Sequence, residues 1–345
     1  MHRTRRAAGA ALLAFGLQVL AGCAVQPRAP HTPQPAREAA EPAAPPPAEA
    51  APAPEAAESR AAPPPAERPL PPVTVLHEAA SAEHAATAAE VARRLESAGF
   101  AVERVALPSD PAAAGPLAVR PGAIAVAVGL EAAERAKRDL DAPLVFCQVF
   151  NHGGLPEPGE PIWGVDSVPP LELQLRGWKA ADPSLARVAL ILSDAHAALA
   201  ANAVAAGRAL GLQVTHTTSA SDTETLYLFR RLAPAVDGLW LLPDNSILSP
   251  RVLRELLSYA ASHGVGVLVP NETLLSWGAL LRASSTEADV ADTVVAVVRR
   301  IARGETAGLP AVTPLSEVEI EVNARTAADL GLPARAGVWV LREPD

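Results

Sequence analysis

From Val236 to Val269 the chain sets two short apolar runs on either side of one amphipathic segment, and this pattern constrains the fold more than any other feature. Val236 to Leu242 is an unbroken apolar run, the mark of a strand buried on both faces. It stops at Pro243-Asp244-Asn245. Val252, Leu253, Leu256, Leu257 and Ala260 then recur at i, i+3 and i+4, which predicts a helix. Gly264 ends it, and Val265 to Val269 reads as a second buried strand. This is one βαβ unit, with parallel strands whose carboxyl ends open at Asp244-Asn245 and at Pro270-Asn271-Glu272. In open α/β sheets ligands bind beyond those ends, so Asp244, Asn245 and Asn271 are candidate binding residues.

The alternation extends over most of the chain. Strands are predicted at Val73–Leu76, Val102–Leu107, Ile124–Val128 and Leu144–Phe150, with helices at Ala85–Ala98 and Leu130–Leu140. Proline-broken residues 108–122 are too short for another full helix. A second lobe is predicted to begin near Pro183, with strands Ala186–Leu192 and Leu212–Thr217 and helices Ala195–Leu210 and Thr223–Leu232. Helix Glu287–Arg303 and strands Val318–Val322 and Val338–Leu341 follow. Strands alternating with helices argue an α/β fold with parallel sheets. The strand ends add Ser193 and Ser219 to the candidates in this lobe and Gly129-Leu130 in the first, where Glu78 is a further acid.

The N-terminus has a different character. Arg3, Arg5 and Arg6 precede the apolar run Ala7 to Val19, the arrangement of an export signal and too short for a membrane span. Leu20-Ala21-Gly22-Cys23 resembles the bacterial lipobox, which implies a signal peptide over 1–22 and lipidation of Cys23. Residues 23–72 are mostly Pro, Ala and Glu with no apolar periodicity and hold sixteen of the 35 prolines. Such a segment cannot repay the entropy of folding and reads as an extended tether. The other cysteine, Cys147, lies in an apolar strand and reads as a small buried hydrophobe.

The order of motifs after residue 115 resembles the ABC transporter substrate-binding family with the type I periplasmic fold, the group containing tryptophan- and tyrosine-binding proteins. The residues that carry the likeness are Pro243-Asp244-Asn245, Gly278-Ala279-Leu280, Arg303-Gly304-Glu305, and Val322-Asn323-Ala324-Arg325-Thr326-Ala327 with Leu330-Gly331-Leu332. The resemblance implies two lobes joined by three crossings, a ligand held between facing strand ends, and Gly278 and Ala279 beside the ligand. By the family's layout the first lobe is 73–182 plus 273–308 and the second 183–272 plus 309–345. It implies a membrane-anchored, extracytoplasmic solute-binding lipoprotein taking a small, polar, amino-acid-like ligand, with an ABC permease as partner. For a Gram-negative host, Ala24 after the lipobox favours the outer membrane. Departures fall on the first lobe: Leu130 stands where the family has Thr, and Asn151-His152 where it has Asp-Pro.

Each residue has a plainer reading. Asp244 suits an Asx turn or helix cap whatever the function. Trp163, Trp240 and Trp277 are aromatic enough to stack on a ligand, although Trp240 lies in a buried strand. His77 and His84 read as solvated loop residues, and no metal-site spacing or cofactor fingerprint occurs. No catalytic residue is assigned, because the chain lacks a nucleophile elbow and a P-loop, and adjacency of Ser193, Asp194 and His196 does not make a triad. A net charge of −9 without a basic patch argues against nucleic acid. The alternative function is a degenerate binding-protein lipoprotein with a structural, sensing or envelope-assembly role and no transport.

Overall fold

Most of the apolar runs become strands, although Val236–Leu242 does so only over Gly238–Trp240. The computed structural model describes residues 69–108, 115–117, 119–150, 161–244, 246–333 and 337–343. Cys23, most of the tether, Asn151-His152 and Asn245 lie outside the described residues. In the first stretch the elements are β1 (Val73–Glu78), α1 (Ala82–Ser97), β2 (Val102–Leu107), β3 (Ile124–Val128), α2 (Leu130–Asp139), β4 (Leu144–Cys147) and β5 (Ile162–Val165). There follow α3 (Leu171–Ala181), β6 (Arg187–Leu192), α4 (Ala197–Ala209), β7 (Gln213–Thr218), α5 (Asp222–Leu232), β8 (Gly238–Trp240), α6 (Pro250–Ser262) and β9 (Gly266–Val269). The last stretch holds α7 (Glu272–Ser276), β10 (Leu281–Ser284), α8 (Glu287–Ala302), β11 (Val312–Thr313), β12 (Glu317–Val322), α9 (Ala324–Asp329) and β13 (Gly337–Arg342).

Two sheets form. The first runs β2-β1-β3-β4-β5-β11, and the second β7-β6-β8-β9-β10-β12-β13. Every described pairing in the first is parallel. In the second, β7 through β10 are parallel and the β10-β12-β13 edge is antiparallel. Helices cover both faces, as parallel sheets require. In the first lobe α1 and α8 bury Val91, Leu95, Val290, Val294 and Val298 against one face, and α2 covers the other through Ala132, Ala133 and Ala136. In the second, α3 and α4 pack on one face around Trp178, and α5 and α6 on the other around Phe229 and Leu256. Two α/β lobes of this order make the two-lobe type I periplasmic-binding-protein fold.

The chain crosses between lobes at 166–170, 285–286 and 314–316, not near Pro183, Thr273 and Leu309. Helix α3 belongs to the second lobe because Leu173, Leu175 and the fully buried Trp178 sit in that core. Strand β10 also stays there, pairing with β9 and β12. Strand β11 returns to the first lobe to pair with β5. The third crossing is fixed by Asp289 of α8, whose carboxylate accepts from Ser316 N at 2.9 Å, Ser316 Oγ at 2.7 Å and Glu317 N at 2.9 Å.

Candidate functional site

A cleft of about 560 Å³ opens between the lobes. The first lobe gives it Glu83 and Thr87 of α1, Gln148 and Phe150 beyond β4, and Glu287 at the start of α8. The second gives Leu242-Pro243 beyond β8, Pro270 to Thr273 beyond β9, Arg282 to Ser284 of β10, and Glu319 of β12. The first two crossings form its floor through Ser167 to Pro169 and Ser285-Thr286. The cleft is therefore bounded by both lobes and by two of the segments that join them.

The wall is held rigid from behind. Gln174 of α3 spends both ends of its amide, accepting from Trp240 Nε1 at 3.1 Å and donating to Pro169 O at 2.8 Å. Arg282 donates to Glu319 at 2.7 Å and Glu321 at 2.8 Å across the β10-β12 pair, with Glu272 at 3.6 Å. Gln148 has φ 58°, a left-handed conformation unusual for a side chain of this kind. Ser167 is 4 % exposed, and among the described residues its Oγ has no hydrogen-bond partner.

Of the candidate binding residues named from the sequence, Asn271 lines this cleft and the other described ones do not. Asn271 lines it and also caps α7, accepting from Leu274 N at 3.0 Å. Asp244 lies behind the wall, 3 % exposed. Its carboxylate accepts from Ser193 N at 2.8 Å, Ser246 N at 3.1 Å and Ser246 Oγ at 2.5 Å. Burial pushes its pKa up, but the bonds from Ser246 and Ser193 and the nearby His196 outweigh burial and hold it below the usual carboxylate range. Ser219 is buried, donating to Ser221 O and accepting from Thr225, both at 2.9 Å. Gly278 turns the chain at φ 108° between α7 and β10, and Ala279 is fully buried behind it.

In the first lobe, Glu78, Gly129 and Leu130 meet at the end of β1 and β3. Glu78 accepts from Glu131 N at the start of α2 at 3.3 Å and pairs with His84 Nδ1 at 3.3 Å. A side chain at Gly129 would stand 2.6 Å from His84 and 2.7 Å from Glu78. His84 thus belongs to α1 and a carboxylate, and His77 is buried in β1; neither is a solvated loop residue. Trp163 and Trp240 are buried, and Trp277 carries the Arg254 guanidinium 4.3 Å over its ring.

These placements have a common cause. The order β2-β1-β3 reverses direction at β1/β3, and β7-β6-β8 reverses at β6/β8, so each sheet has a switch-point crevice. The chain's own carboxylates occupy both, Glu78 in one and Asp244 in the other. Ser193, His196 and Asp244 do converge, yet Ser193 Oγ at 3.1 Å and Asp244 Oδ2 at 3.2 Å meet the same His196 nitrogen, Nδ1. A relay needs the serine and the acid on opposite ring nitrogens. Among the described residues no group of His, Cys, Asp and Glu could hold a metal, and no helix is long and apolar enough to cross a membrane.

Among the cleft residues that sequence reasoning missed are Ser167, Gln148, Phe150, Arg282 and Glu319, with Glu83 and Glu287 at helix starts. The only local signal was Ser284-Ser285-Thr286-Glu287, a cap signature before an apolar helix.

Comparison with solved structures places the fold. A domain from Streptococcus pneumoniae, described as an ABC domain in complex with L-Trp, superposes with TM-score 0.53 at 16 % identity, covering 77 % of this chain and 96 % of that one. A ligand-free, open substrate-binding protein with adhesive properties from Clostridium difficile gives TM-score 0.56 at 15 % identity, over 76 % and 96 %. A conserved domain protein from Vibrio cholerae gives 0.52 at 15 %, over 77 % and 96 %. No protein-family model and no curated protein matches the sequence. At these identities the likeness defines the two-lobe binding-protein fold.

Proposed function

We propose that this chain is an extracytoplasmic solute-binding lipoprotein that captures a small polar ligand between its lobes and delivers it to an ABC importer. The observation that carries the reading is the hinge cleft, lined from both lobes and floored by two crossings. A ligand there touches both lobes at once, so binding favours the closed arrangement. The S. pneumoniae and C. difficile neighbours, one with L-Trp and one named as a substrate-binding protein, support the same class. Lipid anchoring through Cys23 rests on the lipobox-like Leu20-Ala21-Gly22-Cys23, and the permease partner and envelope location rest on the family resemblance.

Small-angle scattering and thermal shift over a panel of amino acids, amines and carboxylates test it. At least one compound is expected to raise the melting temperature and shrink the particle together, the stabilisation reaching about 2.7 kcal/mol at a hundredfold excess over Kd. If no compound does either, binding has been lost. The reading then becomes a structural or sensing lipoprotein, an alternative favoured by the self-occupied switch-point crevices.

A further inference from the structure

We propose that the cleft selects an organic cation, a primary or secondary ammonium compound without a carboxylate of its own. This rests on the reading of the cleft as a binding site and names its ligand class. Four glutamates line the described wall, Glu83, Glu272, Glu287 and Glu319, against one cation, Arg282. That arginine is already neutralised by Glu319, Glu321 and Glu272, so it has little charge left for a ligand carboxylate.

Several described places where this fold could hold an anion are also spent. Amides at the strand ends are taken internally, Glu131 N by Glu78 and Ser193 N and Ser246 N by Asp244. The two long helices that start at the cleft, α1 and α8, carry Glu83 and Glu287 in their first turns, where the positive helix end would otherwise attract an anion. Helix polarity alone explains those two acids, and a second observation points to a ligand. Ser167 lines the cleft floor, and its buried Oγ has no hydrogen-bond partner among the described residues. Such an oxygen is costly unless something donates to it, and an ammonium N–H does so while its charge faces the glutamates. Phe150, 45 % exposed at the cleft, offers a ring face that attracts cations.

Calorimetric titration and thermal shift of the chain with putrescine, cadaverine and spermidine, against L-tryptophan, L-glutamate and succinate, decide the matter. At least one amine is expected to bind and the carboxylates not to, with affinity falling as salt rises. Glu83→Gln and Ser167→Ala should each weaken that amine about tenfold or more, the usual worth of a hydrogen bond or contact to a charged group. Ser167→Ala should leave the unliganded melting temperature unchanged or higher, because it removes an unpaired buried oxygen. An amino acid or succinate binding where no amine does would overturn the cation assignment and leave the binding function standing. An amine whose affinity is untouched by both variants would overturn it too, by placing the site elsewhere. No binding by any of the six would overturn both.

Discussion

At the scale of single residues, the chain uses its carboxylates as internal struts. Asp244 was the leading ligand contact on sequence grounds, but in the fold it holds the turn after β8 against the end of β6. Asp244→Ala strands two backbone N–H groups and should cost about 1–3 kcal/mol at neutral pH, read as a lower urea midpoint. The pH dependence has a definite sign. The folded-state pKa is depressed, so the stabilisation is present above the unfolded value near 3.9 and is lost as the pH falls through the folded one. The gap between wild type and variant should therefore narrow in acid; a gap that stays constant down to pH 2 would contradict the ionised strut. Cys147 stands apart from this chemistry. Burial pushes its thiol up to about 12, and thiol reagents should leave it unmodified in the native protein and label it on unfolding.

At the scale of elements, the longer apolar strands were legible, while short or mixed strands and the assignment of elements to lobes were not. A run such as Ile124–Val128, buried at every position, announces itself because nothing polar interrupts it and glycine closes it. Strand β10 carries Leu281, Arg282, Ala283 and Ser284, with alternate burial, and four residues of mixed character give too little pattern to read. Helix α3 was missed for a related reason: its buried face includes Gln174 and Gly177, which dilute the apolar period. Their roles depend on distant partners. Gln174 answers the Trp240 indole, and Gly177 leaves room for Ile320, 2.5 Å from where a side chain would begin. The cleft suffered most, since Arg282 and Glu319 meet only after two strands far apart in sequence pair antiparallel. The same close packing makes Gly238 on β8 informative. A methyl there would stand 2.4 Å from the Trp178 ring, and Trp178 is fully buried. Gly238→Ala should lower stability by about 1–3 kcal/mol through overpacking, measured by chemical unfolding, and Gly264→Ala should act through its positive φ instead, with open space around it.

At the scale of the whole molecule, two cores are coupled by short crossings. Asp289 is the strongest tie described, a buried carboxylate of one lobe accepting three hydrogen bonds from residues 316–317. Asp289→Ala should broaden or split the calorimetric transition as the lobes melt more independently, whereas a single sharp peak merely shifted downward would show that other contacts carry the coupling. The proposed lipid anchor is tested in cells by fractionation. Cys23→Ser should move the protein out of the membrane fraction or leave it unprocessed, and unchanged partition would remove the lipoprotein reading.

The three crossings also set an order in time. The first lobe draws Val290, Val294, Val297 and Val298 from α8, over a hundred residues after β5 in the chain, and borrows β11 from later still. The second lobe is open until β12 and β13 have been made. A growing chain can therefore complete neither core as it emerges, and almost the whole polypeptide must be present before either half can close. Synthesis and folding of this protein are separated by its topology, and the lobe that begins first has to wait for the last third of the chain.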